Sequence, residues 1–439
     1  MCGGETLNWL TDLWLVSGLV PIAVTVVGCI GAIWLLSGRP RWFTHRAIPI
    51  AAAVTGASIG ALYVVVEKWW RPFPNVMPTT VYLWIAAGIG GLALLFPRIR
   101  SSSGWRARAV TVAAAVVVVL AAAVQINSFY GQFPTVGAAL GLPEHDRIDF
   151  AAVPGPTLAT IAGHPLDSVW APTHGQQPDG RVTRAAIRGV RSGFSARAAQ
   201  IYLPPAYFAD PRPLLPVLVL LTGEPGDPSD WLIGGKLSAT MDAFAARHAG
   251  LAPVVVVADA DGARWHNPMC MDSRLGNVAT YLAVDVPEWT KAHLQVDPDP
   301  QAWAIGGLSS GGTCALQIEA NYPQTYPTFL DFSGATEPSL GDHRRSVQAA
   351  FGGDESAFRR VNPTELLRTH RYPNSAGIFV VGSRDKEYKA DQEAMYHAAK
   401  RAGMDVSYAE YPGGHSWLVW SAALRGEIGW LARRLGLIG

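Results

Sequence analysis

Two stretches of the chain set a serine between glycines in the pattern Gly-x-Ser-x-Gly: Gly307-Leu308-Ser309-Ser310-Gly311 and Gly56-Ala57-Ser58-Ile59-Gly60. In serine hydrolases this spacing carries a nucleophile on a sharp strand-to-helix turn, where β-carbons beside the serine would crowd the neighbouring elements. With 45 Gly in 439 residues, chance alone supplies about 0.2 such matches, so the setting must decide. Around Ser309 the setting is present: Ala302-Trp303-Ala304-Ile305 reads as an apolar strand and Thr313 to Tyr322 as a helix. Ser58 lies in a long apolar run rich in small residues, of the kind that lets membrane helices approach closely. Ser309 is the candidate nucleophile, and Ser58 is packing.

A serine hydroxyl is a poor nucleophile until a base takes its proton and an acid orients that base. In the α/β-hydrolase order the acid and then the histidine follow the serine. His343 is too close to the motif, His370 precedes the strand that should deliver the acid, and His397 falls inside a helical run. His415, in the Gly-rich stretch YPGGHSW before a terminal amphipathic helix, can reach over a sheet. The acid should follow the strand GIFVVG, which makes Asp385 the first candidate and Glu387 the runner-up. An oxyanion hole would take the N–H of Ser310 and one from the loop after the strand PVLVLL. Glu224 is the donor expected there, because Pro225 has no N–H to give. Trp231, Trp265 and Trp417 are candidates to line an apolar acyl site, set against ordinary core packing. No His/Cys/Asp/Glu spacing resembles a metal site, so neither metal nor cofactor is expected.

The elements that must hold these groups begin near Arg181. Val182 to Val190, Ala198 to Leu203, Leu215 to Leu221, Pro253 to Ala258, Trp303 to Gly306 and Gly377 to Gly382 read as strands. Helical stretches alternate with them: Leu237 to Ala249, Val278 to His293, Thr313 to Tyr322, Asp391 to Gly403 and Leu418 to Leu435. That alternation predicts a mostly parallel sheet covered by helices on both faces, an α/β-hydrolase domain over residues 181–439.

The first 130 residues are of another kind. Hydrophobic residues make up 49% of the chain at a mean hydropathy of +0.16, and the excess sits here. Four apolar runs, about 13–36, 47–66, 77–96 and 107–126, are long enough to cross a bilayer. They predict a polytopic α-helical membrane domain over 1–128, joined to the sheet domain by a Pro/Gly-rich connector, 129–180. The leader carries Glu5 and Asp12 and no basic residue, unlike a cleavable signal peptide. Arg39, Arg41 and Arg46 follow the first run, and Arg98, Arg100, Arg106 and Arg108 surround the turn after the third. By the positive-inside rule these loops are cytoplasmic, which puts both termini and the sheet domain outside the membrane. Disulfides persist in such a compartment, so Cys270 and Cys314 are candidates for a bridge, with two buried thiols as the alternative. Charged residues amount to only 16% and net charge to +1, so nothing in the chain marks a nucleic-acid partner.

The stretches IYLPPAYF, LLTGEPGDPSDW, VVVVADADG, CMDSRLGNVATYLAVDVPEWT, GGLSSGG and YPGGHSW together resemble the esterase D-like hydrolases that include the antigen 85 mycolyltransferases. The resemblance runs from about Arg181 to Leu435 and implies an α/β-hydrolase fold working through an acyl-serine, with Ser309 and His415 in the matching positions and Glu224 as an oxyanion donor. Two departures stand out. The secreted mycolyltransferases have a removable signal peptide in place of four spans, and they use a glutamate as the triad acid. The expected function is a membrane-anchored carboxylic ester hydrolase acting on an ester-containing small molecule or an envelope lipid or glycolipid. The alternatives are acyl transfer to an envelope sugar or lipid hydroxyl, and a hydrolase-like binding module without catalysis.

Overall fold

The computed structural model of the protein describes residues 9–71, 76–142, 147–158, 160–171 and 177–439. The chain divides into two compact units, Met1–Leu142 and Pro143–Gly439.

Four helices long and apolar enough to cross a membrane fill the first unit: α1 Leu19–Leu36, α2 Phe43–Trp70, α3 Thr79–Ser101 and α4 Trp105–Tyr130. The first begins at Leu19, not near residue 13, because the chain before it is held otherwise. Leu15 N donates to Pro134 O (2.8 Å) and Val136 N to Leu13 O (3.0 Å), so residues 13–15 pair with the segment after α4. The second is longer than its apolar core suggests, with π-helical turns at both ends, Phe43–Ala47 and Val64–Trp70. Helix α1 lies close against α4: a Cβ at Gly31 would stand 2.8 Å from the carbonyl oxygen of Ala114. Small residues at this contact let the two helix backbones approach closely.

The second unit is an α/β-hydrolase domain. Its sheet has eight strands: β1 Arg181–Ala185, β2 Ala199–Leu203, β3 Val217–Leu221, β4 Val254–Val257, β5 Trp303–Leu308, β6 Thr328–Phe332, β7 Ala376–Gly382 and β8 Asp405–Tyr411. Their order across the sheet is β8-β7-β6-β5-β3-β4-β2-β1. Pairing is parallel from β8 to β4, and antiparallel where β2 meets β4 and β1. Val217 to Leu221 are completely buried, as expected of a strand covered on both faces. Truncating one of them to alanine costs roughly 2–5 kcal/mol.

The five helices that the sequence predicts in this unit include α5 Leu237–Ala245, α6 Ser310–Asn321, α7 Lys389–Arg401 and α8 Trp417–Arg434. Helix α5 stops at Ala245, short of Ala249, because Ala249 and Gly250 take positive φ (54° and 84°) and Gly250 N closes on Ala245 O. Strand β1 ends at Ala185, not Val190, since the following loop turns to donate Arg191 N and Ser192 N to the Asp285 carboxylate. Strands β6 and β8 are additional to those the sequence predicts. From residue 147 on, the Pro/Gly-rich segment packs into this unit: Leu166 belongs to its core, and Trp170 Nε1 donates to Ala249 O (2.9 Å).

The strand order reverses between β3 and β5. The chain lays β4 on one side of β3 and then crosses to place β5 on the other. In open α/β sheets ligands bind outside the carboxyl ends of strands at such a switch point. Leu221 pairs with Gly307, so the turns leaving β3 and β5 emerge side by side there.

Candidate active site

Ser309 sits between β5 and α6 with φ 54° and ψ −123°, a conformation few non-glycine residues adopt. The turn is held by Ser309 N donating to Phe332 O (2.8 Å), and Gly312 N and Thr313 N return to Ser309 O. A side chain at Gly311 would collide with the carbonyl oxygens of Thr222 and Leu221, which explains that glycine. Ser58, by contrast, lies within α2.

The other two groups arrive from the ends of β7 and β8. Asp385 follows Gly382 in a tight turn (Asp385 N to Gly382 O, 2.8 Å) and its side chain is almost wholly buried. His415 hangs in the loop Pro412 to Ser416, with Arg384 N pinned to Gly413 O (2.7 Å). His415 Nε2 lies 2.9 Å from Ser309 Oγ and Nδ1 lies 2.9 Å from Asp385 Oδ2. This spacing suits a hydroxyl donating to the imidazole and an Nδ1–H donating to a carboxylate. Glu387 makes no such contact with His415; its half-buried carboxyl is pushed upward, chiefly by burial, with the imidazole pulling the other way. Two aromatic residues hold the histidine. Tyr388 stacks on the ring at 4.2 Å and 16°, and Trp420 meets it edge-on at 4.8 Å and 87°. Tyr388 stands three residues past the acid, but no spacing rule marks a stacking partner.

Ser310 is the first residue of α6, so its N–H is among those that a helix start leaves without an intrahelical acceptor. Gly223 lies against the nucleophile: a Cβ there would be 3.1 Å from Ser309 Cβ. Glu224 follows directly. Its carboxyl is raised to about 7 by burial, opposed by the hydrogen bond from Asn267 Nδ2. Asn267 Nδ2 also reaches Ser339 O (3.2 Å), tying the loops after β3, β4 and β6 together. Behind them Arg197 pairs with Asp259 (2.6 Å) and Asp227 (3.2 Å). Cys270 and Cys314 are joined in a disulfide, Cα atoms 5.5 Å apart, fastening the Asn267 loop to α6.

The three tryptophans divide. Trp231 is completely buried with Nε1 on Leu221 O (2.9 Å), so it is core and not part of an acyl-site wall. Trp417 is likewise buried, edge-on to Trp231 at 5.4 Å. Trp265 alone is open, 49% exposed on the loop before Asn267. Among the described residues no group of three or more His, Cys, Asp and Glu could hold a metal ion.

A family model described as "Putative esterase" matches residues 195–431. The chain belongs to this esterase family. An uncharacterized protein of Corynebacterium glutamicum is 36% identical over 438 residues, 98% of each chain. The S-formylglutathione hydrolase of Paracoccus denitrificans is 29% identical over 158 residues, 36% of this chain and 56% of that one. Among solved structures, an S-formylglutathione hydrolase from Agrobacterium tumefaciens superposes with a TM-score of 0.50 at 18% identity, covering 60% of this chain and 98% of that one. This last likeness speaks for the fold. The protein is thus an enzyme of the α/β-hydrolase type, preceded by four long apolar helices.

Proposed function

We propose that this esterase is a membrane-anchored carboxylic ester hydrolase with Ser309 as nucleophile, His415 as general base and Asp385 as the acid that orients it. The observation that carries the reading is the unbroken relay from Ser309 Oγ through His415 to Asp385, both contacts at 2.9 Å. Ser309 Oγ attacks the ester carbonyl carbon while His415 Nε2 takes the hydroxyl proton. The carbonyl oxygen becomes an oxyanion facing the N–H groups of Ser310 and Glu224, at the positive end of α6. Collapse expels the alcohol, protonated by His415, and leaves an acyl-serine. Water, deprotonated by His415, then attacks this ester, releasing the carboxylic acid and the free serine. Buried Asp385 stabilises the imidazolium that forms in both halves.

The four helices anchor the enzyme in a bilayer. The arginines around residues 39–46 and 98–108 set those turns on the cytoplasmic side, leaving the hydrolase unit outside. The Cys270–Cys314 disulfide suits an oxidising compartment.

The test is hydrolysis of p-nitrophenyl acetate and butyrate by the full-length protein in detergent. The wild type should turn over. Ser309→Ala should lose on the order of 10³-fold or more in kcat, and undiminished turnover by that variant would sink the assignment.

A further inference from the structure

The first unit carries a cleft that the esterase reaction does not use. One stripe of α2, from Trp42 at its start through Ala47 and Ala51 to Val54, faces Ala93 and Pro97 of α3 across a space of about 300 Å³. Ala47 and Ala51 form a buried floor of small residues, while Trp42, Ile50 and Val54 stand exposed as walls (39%, 62% and 48%). A single cation, Arg46, stands on the lining, carried on the π-helical turn Phe43–Ala47. Pi turns recur where a helix is shaped for a ligand.

The charge around this cleft is one-sided. Helix ends at Leu36, Phe43, Ser101 and Trp105 fall together, since Arg98 Nε donates to Trp34 O (3.0 Å) and Trp34 Nε1 to Thr111 Oγ1 (3.2 Å). Around this end, residues 37–50 and 94–110 hold seven arginines and one histidine but no Asp or Glu. Buried Arg98 is satisfied by neutral groups: the Trp34 carbonyl, the Ser102 hydroxyl at 3.0 Å and the Trp34 ring at 4.8 Å. Neither stretch supplies a counter-anion from its own sequence. An apolar channel with a cation on its lining, inside an acid-free arginine cluster, has the chemistry of an acyl chain joined to a phosphate.

We propose that the α2/α3 cleft holds one anionic phospholipid, an acyl segment on the Ala47–Ala51 floor and its phosphate on Arg46. The proposal rests on the reading that α1 to α4 span a bilayer. Basic pockets between helices at the cytoplasmic face are where phosphate headgroups are attracted.

Native mass spectrometry of the full-length protein in detergent, supplied with dioleoylphosphatidylglycerol, dioleoylphosphatidylcholine or sodium phosphate, tests it. The anionic lipid should be retained about tenfold over the zwitterionic one. Arg46→Gln and Ala51→Leu, which fills the floor, should each remove that preference. Arg108→Gln removes the same charge from α4, off the cleft, and should keep it. Equal retention of the two lipids would overturn the proposal. Equal losses in Arg46→Gln and Arg108→Gln would also overturn it, as diffuse attraction. Full displacement by phosphate with no effect of Ala51→Leu would replace the lipid by a free anion, again overturning it. Alkaline carbonate extraction of membranes separates the underlying reading: release of the chain would refute the bilayer spans, whereas a retained chain without lipid preference refutes this proposal alone.

Discussion

Tyr388 lies flat on the His415 imidazole, ring centroids 4.2 Å apart and planes 16° apart. The histidine is therefore clamped between an aromatic face, the Trp420 edge and the Asp385 carboxylate. Stacking of this kind contributes about 0.5–1.5 kcal/mol, roughly two- to tenfold in rate if it serves to position the base. Tyr388→Leu should lower kcat by that factor with KM little changed. Tyr388→Phe keeps the face and should recover most of the loss. A Phe variant as poor as the Leu variant would shift the role from the stack to the hydroxyl.

The two acidic candidates are separated by substitution. Asp385→Asn leaves the shape intact but can hold the wrong imidazole tautomer, and a loss of about 10⁴-fold in kcat is expected. Glu387→Gln should stay within a few fold of the wild type, since Glu387 does not contact the Nδ1 side. Steady-state kinetics on one chromogenic ester check both. The reverse ranking would transfer the acid role to Glu387.

A third expectation concerns pH and stability. Glu319, on the inner side of α6, is completely buried and raised to about 8 by desolvation, with the Ser375 hydroxyl pulling the other way. An unfolded glutamate titrates near 4.3, so between roughly pH 4.3 and 8 the folded chain keeps a proton the unfolded chain gives up. The contribution is full below that range and is lost as pH rises through about 8. Thermal unfolding in detergent should show stability falling by roughly a few kcal/mol across this window. Glu319→Gln should flatten that slope, and an unchanged slope would contradict the assignment.

Much of this was legible in the chain. Ser309, His415 and Asp385 were picked out by motif, loop and strand order, and the fold brings the three together at 2.9 Å contacts. The apolar strands β3, β4 and β7 announced themselves because both faces are buried. Strand β8 did not: it is the sheet edge, partly exposed along its length, and DVSYAEY lacks a continuous apolar run. In β6, TFLDF carries a buried Asp331 whose Oδ1 accepts Gly334 N (2.9 Å), a tertiary contact that local pattern cannot foresee. Trp231 was ambiguous for a related reason, since an indole suits a pocket and a core equally until its N–H partner is known. Tyr388, Trp420 and Asn267 reach the site only through tertiary packing, so no spacing rule finds them.

The central claim is that Ser309 is the activated nucleophile of this esterase. Treating the folded full-length protein with a fluorophosphonate and mapping the adduct by peptide mass spectrometry tests it most directly. The prediction is a single phosphonylated residue, Ser309, with labelling abolished in Ser309→Ala and slowed at least about a hundredfold in His415→Ala. Labelling that persists in Ser309→Ala, or a folded wild type that takes no label, would contradict it.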